Sequence, residues 1–162
     1  MAKKKTNPRN IPLDKRTINL DSIVDEAMEN DMLHAWILVG SALVEQGMCT
    51  AEEVKGLRDS LKECDATERN IRYAERLMGV RSRPSVKLDD VSTAADLKKL
   101  KANMEKLALH TALCSICLGL EEKGFKQEEL KKLFLAVDIT KSEIENGTVS
   151  YEELEKRMEQ AE

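Results

Sequence analysis

Apolar residues in this chain recur every three or four positions in six stretches, the period of a helix with one buried face. The first begins where Asp21 or Ser22 can cap a helix, with Ser22-x-x-Asp25 as a capping-box variant, and stops at Gly47. Thr50-x-x-Glu53 opens a second helix, with Val54, Leu57 and Leu61 on one stripe. Asp65-x-x-Glu68 opens a third, with Ile71, Ala74, Leu77 and Met78 turned inward. The pattern then breaks from Gly79, and Pro84 lacks the amide that a helix interior needs. After Ser92 a long helix carries Leu97, Leu100, Met104, Leu107, Thr111, Cys114 and Leu118, ending near Gly124. A fifth holds Leu130, Leu133, Phe134, Val137 and Ile144 and ends at Asn146-Gly147. Ser150-x-x-Glu153 caps a short sixth with Tyr151, Leu154 and Met158.

The same pattern divides the chain. Residues 1–18 hold Pro8 and Pro12, many positive charges and little to bury, and read as a flexible basic arm. Residues 19–78 form a first helical unit, 79–91 a linker, and 92–162 a second unit. Each unit runs long helix, medium helix, short helix. A shift of 76 positions places Met28-Glu29 on Met104-Glu105, Leu33-His34 on Leu109-His110, and Glu45 on Glu121. It also places Glu52-Glu53 on Glu128-Glu129, Lys55 on Lys131 and Leu57 on Leu133. Those are nine identities over the 34 pairs from 28 to 61, which points to a duplication. Gly47 falls on Lys123, so the second long helix should run one residue further before its glycine. Trp36 falls on Ala112 and Leu43 on Gly119, large-for-small exchanges suited to two helices packed on each other. The expected fold is therefore all-α, with two pseudo-repeated three-helix units packed through their long helices. Trp36 and Leu107 should be buried at that contact.

Composition agrees with helix: 35% of the 162 residues are charged and only 3% aromatic. The net charge of −4 is unevenly spread. Residues 1–16 carry Lys3, Lys4, Lys5, Arg9, Lys15 and Arg16 against Asp14, whereas 121–162 hold seven positive and twelve negative residues. The head has no apolar stretch behind its charges and is not read as a secretory signal. The apolar runs Ala35–Val44 and Leu107–Leu120 fall short of the roughly 20 residues needed to cross a bilayer. No membrane partner is expected. Cys49, Cys64, Cys114 and Cys117 lack the spacing of a disulfide framework, which favours a reducing, cytoplasmic setting.

Candidate chemistry is sparse. His110, Cys114 and Cys117 lie on one stripe of one helix, and the duplication offers His34 as a fourth group. Two imidazoles and two thiols suit tetrahedral zinc. Structural zinc sites, however, usually present cysteines from a turn, and buried cysteine is common core material. The expectation is core residues and no metal. Cys114-x-x-Cys117 is a poor redox pair, since it lies far from the helix N-terminus that would lower its pKa. With two histidines and no glycine-rich phosphate loop, the chain reads as non-enzymatic and without a cofactor. Arg72, Arg76, Arg81, Arg83 and Lys87 make a positive stripe able to hold phosphates. Glu152 and Glu155, acidic residues of the last helix, could instead mimic phosphate toward a basic groove.

The head Met1-Ala-Lys-Lys-Lys-Thr-Asn-Pro-Arg-Asn-Ile-Pro resembles that of small uncharacterised helical proteins from phages and prophages of Gram-positive bacteria. In those, a similar head leads into a helix with an Ala-Trp pair, as Ala35-Trp36 here. The likeness covers 12 residues closely and the first long helix loosely. It implies a phage-encoded accessory protein in the cytoplasm of a bacterial host, and it carries over no catalytic residue. The function expected is protein binding, with a host or phage complex as partner, for example inhibition of a CRISPR nuclease. The alternative is a DNA-associated phage regulator using the arm and linker. The sequence sets no oligomeric state.

Overall fold

A computed structural model describes residues 19–63 and 91–161, together with Pro12, Arg72, Glu75 and Arg76. Five helices form among these residues: α1 (Leu20–Glu45), α2 (Ala51–Glu63), α3 (Ala94–Glu122), α4 (Gln127–Glu145) and α5 (Tyr151–Gln160). The third of the six expected helices falls at 65–78, mostly outside the described residues. Only Arg72, Glu75 and Arg76 are seen there, with helical backbone. Most of the expected arm and linker also lies outside. Of the arm, Pro12 forms an isolated antiparallel bridge with Thr93. Of the linker, Val91 is buried and packs with Leu100 and Met104, so it belongs to the core.

Helix α1 is the centre. Every residue from Ala35 to Leu43 is buried, with Val39, Ala42 and Leu43 wholly removed from solvent. A helix buried all round must be covered on every side. α3 makes the most extensive cover, while α5, α4 and α2 close the remaining sides. The two long helices run parallel: Leu20, Val24 and Met28 meet Leu97, Leu100 and Met104. Further along, Ala35 meets Ala108 and Ala112. α4 contributes Leu130, Leu133 and Val137 to the main core, and α5 contributes Leu154. None of the described helices is long and apolar enough to cross a membrane.

The expected contact partners change in detail. Trp36 is buried, but it lines a cleft against α2 and α5, and Leu107 is only partly buried. The space beside Ala112 is taken by Ala35, and Leu57 of α2 comes over Gly119. α3 does run one residue further before its glycine, as the alignment requires.

The helix ends follow from side-chain chemistry. α1 is capped by Asn19, not by Asp21 or Ser22: the Asn19 Oδ1 accepts from the Ser22 amide at 3.2 Å. Asp21 remains in the first turn, where the helix dipole favours a negative charge. The α1–α2 and α4–α5 connections are built alike, one hundred positions apart. Gly47 and Gly147 take φ of 67° and 74°, a left-handed conformation that glycine adopts without a Cβ clash. The amides of Met48 and Thr148 then donate to Leu43 and Glu143 carbonyls, closing each helix. Thr50 and Ser150 cap the next helices, each in reciprocal bonds with Glu53 or Glu153. The flanking pairs Cys49/Val54 and Val149/Leu154 are buried in the same core, the arrangement of a hydrophobic staple. The α3–α4 turn through Gly124 is a shortened version, in which Glu129 accepts from the Lys126 amide at 3.0 Å.

Gly40 marks the tightest approach to α1. A Cβ there would lie 2.9 Å from Val54 Cγ1 of α2 and 3.1 Å from Met158 Sδ of α5. Overpacking costs about 1–3 kcal/mol, against about 1 kcal/mol gained from alanine's better helix propensity. Gly40→Ala should therefore lower the denaturant midpoint, and it should lower it less in a Val54→Ala background, where the clash is relieved. A double-mutant cycle by chemical denaturation reads the coupling, and additive losses would show that α2 does not press on Gly40.

Candidate functional site

The four residues considered for zinc go to different neighbours. His34, on α1, stacks on Tyr151 of α5 with ring centroids 4.0 Å apart and planes 6° from parallel. His110, on α3, is buried, and its Nε2 lies 2.8 Å from Glu75 Oε1. That carboxylate supplies the partner a buried imidazole requires. Cys114 and Cys117 are buried in the main core. Burial, with Cys114 and Glu121 nearby, pushes the Cys117 thiol up to about 12, so it stays protonated at neutral pH. Among the described residues no three His, Cys, Asp or Glu side chains are close enough to hold a metal ion, and no disulfide forms.

Of the positive stripe considered for phosphates, only Arg72 and Arg76 are among the described residues, and both are exposed. Arg81, Arg83 and Lys87 lie outside the described residues. The two acidic candidates separate. Glu152 is exposed and pairs with Lys156 at 3.0 Å one turn along α5, whereas Glu155 lines a cleft.

Two places gather polar groups. The first lies where α1, α3 and α5 meet. Burial raises the Asp31 carboxyl above its ordinary value of 3.8, Glu105 raises it further, and His34 pulls the other way. Burial likewise raises the Tyr151 phenol, with Glu105, Asp31 and Glu145 adding to it. The stacked His34–Tyr151 pair thus sits among carboxylates from three helices. The second place is a cleft of about 460 Å³ between α1, α2 and α5. Trp36, Ile37, Val54 and Met158 give it apolar walls, and Lys55, Arg58, Glu155 and Glu159 give it charged edges. Arg58 also lines a shallower cleft between α1 and α3 with Leu33 and Lys101. Its Nε is buried and, among the described residues, has no hydrogen-bond partner. Sequence reasoning passed over Arg58 because a charge at that helix position reads as solvated. Only its neighbours reveal that its Nε is covered while the rest of the residue is half-buried.

The carboxylate cluster has a testable sign. A folded-state pKa above the unfolded value means that ionising Asp31 costs stability. That cost is absent below about pH 3.8, grows as pH rises through the ordinary aspartate value, and is complete above the raised one. Asp31→Asn should therefore raise the thermal midpoint at pH 7, with the gain fading on acidification. Equal midpoints at pH 7 would show that Asp31 ionises freely in the fold. Compared with known protein families, curated proteins and solved structures, the chain matches none.

Proposed function

We propose that this chain is a non-enzymatic protein-binding protein. The observation that carries the reading is on α4. Leu135 and Ile139, four residues apart and so neighbours on one face, are 62% and 53% exposed. Leu133, Val137 and Thr140 turn the other way, into the core. Two large aliphatic side chains held side by side on a rigid helix, with Lys131, Lys132, Asp138 and Ser142 exposed around them, suit the centre of a small interface. The phage setting, cytoplasmic location and inhibition of a defence complex such as a CRISPR nuclease extend this proposal. They rest on the resemblance of the head to phage proteins. The duplication is likewise a proposal, and it is supported by Met28 and Met104, equivalent at the 76-residue shift, packing in one cluster.

Leu135→Lys with Ile139→Lys should leave the thermal midpoint within a degree or two, because neither side chain is buried. Interface anchors of this kind are worth about 2 kcal/mol or more, roughly a thirtyfold loss of affinity. Capture from bacterial lysate with the parent chain and the double variant checks this: a protein retained by the first should be lost with the second. Duplex DNA should bind weakly at low salt and release at moderate salt. DNA binding that survives moderate salt and disappears with Arg72→Ala/Arg76→Ala would favour the DNA-associated regulator.

A further inference from the structure

We propose that the outer face of α4 pairs with the same face of a second copy of this chain, the two helices running antiparallel about a twofold axis. The inference deepens the reading of the Leu135–Ile139 pair as an interface and rests on it. What identifies the occupant as a second copy is the order of charges on either side of that pair.

An α-helix turns about 100° per residue, so residues separated by nearly whole turns return to one side. Leu135 and Ile139 lie at the middle of such a line on α4. Glu128 and Lys132 continue it toward the N-terminus, Glu143 and Asn146 toward the C-terminus, and all four are exposed. A twofold axis between two antiparallel helices keeps each residue on its own edge and reverses its height. It therefore joins residues that lie equally far from the axis on opposite sides. With the axis level with Val137, Leu135 meets Ile139 of the second copy, Lys132 meets its Glu143, and Glu128 meets its Asn146. Each contact occurs twice. A basic group thus falls opposite an acidic one at both ends of an apolar centre, the self-complementarity that such an interface requires. Lys131 and Glu145 repeat the relation on one flank. Asp138 meets its own copy only at the rim, about 80° round from the seam, where water and salt screen like charges. Among the described residues no ion pair involves Lys132 or Glu143, so both charges are available. A uniformly acidic or basic partner would match one half of the seam and be repelled by the other. One pair of 19-residue helices buries less than the roughly 1,200 Å² at which stable interfaces begin, so the dimer is weak and concentration-dependent.

Sedimentation equilibrium of the whole chain at low salt tests this. The parent should follow a monomer–dimer equilibrium with a Kd on the order of 100 µM. Lys132→Glu and Glu143→Lys each turn two attractions into two repulsions, so each alone should weaken the dimer about tenfold. Lys132→Glu combined with Glu143→Lys in one chain should restore it. An equimolar mixture of the two single variants should also associate more tightly than either alone, because each copy then carries the charge that the other lacks. Both positions are exposed, and Glu143→Lys puts a cation in the last turn, where the helix dipole favours it. Thermal midpoints at low concentration should therefore stay level across the set. A parent that remains monomeric up to about 1 mM would overturn the proposal, as would single reversals without effect or a combined variant that stays weak. A dimer that survives Leu135→Lys with Ile139→Lys would place self-association on another surface and sink it too. A monomeric parent that still loses a lysate protein with that double variant would remove the second copy as occupant and leave the α4 interface standing. A monomeric parent that captures nothing would remove both.

Discussion

The complete burial of the middle of α1 is the constraint on which everything else depends. From Ala35 to Leu43 no face of the helix is left to water, so no single partner helix can suffice. The sequence meets this with size as much as with hydrophobicity. Small residues sit where neighbours come closest: Ala35 against Ala108 and Ala112, and Gly40 beneath Val54 and Met158. Large ones, Leu38, Val39 and Leu43, fill the wider gaps of the main core. Interiors packed at crystal-like density accept changes of even one methyl group poorly. The positions of α2 and α5 are therefore set by the profile of α1 more than by their own weak apolar stripes. α5 has one fully buried residue, Leu154.

Short helices with so little to bury need their ends fixed, and the connections do this. At residues 45–54 and again at 145–154, a left-handed glycine, a hydroxyl cap, a reciprocal glutamate and an apolar staple occur in one order. Each satisfies backbone groups that a helix end leaves orphaned. Each also fixes the angle at which the next helix leaves the turn, which delivers Val54 and Leu154 to the core. The glutamate pairs that count toward a 76-residue duplication are partly the signature of this device. Glu52-Glu53 matches Glu152-Glu153 as well as Glu128-Glu129.

Local chemistry was legible in the sequence, and this explains which expectations held. The capping boxes at Thr50 and Ser150, the glycine stops and the inward stripe of α4 are determined within a few residues, and all are found. The cap of α1 lies two or three residues before Asp21 and Ser22, because Asn19, Asp21 and Ser22 are all competent caps and only geometry chooses. Trp36 was assigned to α3 on the strength of its alignment with Ala112. Its direction is set by where α2 and α5 lie, which no spacing within α1 reveals. The four residues weighed for zinc go to different neighbours for a related reason. Sharing a face of one helix fixes direction but not company, and His110 finds Glu75 while His34 finds Tyr151.

A core organised round one helix also divides labour across the surface. α1 and α3 make the most extensive contact in the fold, and several of their polar residues are drawn into pairs or clusters, as at Asp31, Glu105 and His110. α2, α4 and α5 need only one face apiece to cover α1, which leaves their outer faces without structural duty. Among the described residues, the exposed Leu135–Ile139 pair falls on one of these covering helices, α4, and an Arg58 Nε without a hydrogen-bond partner on another, α2. Both cost something in the isolated chain, one by exposing apolar surface and the other by burying an unsatisfied N–H. The exposed apolar pair on α4 is the strongest reason to look for function on the covering helices and not in the core.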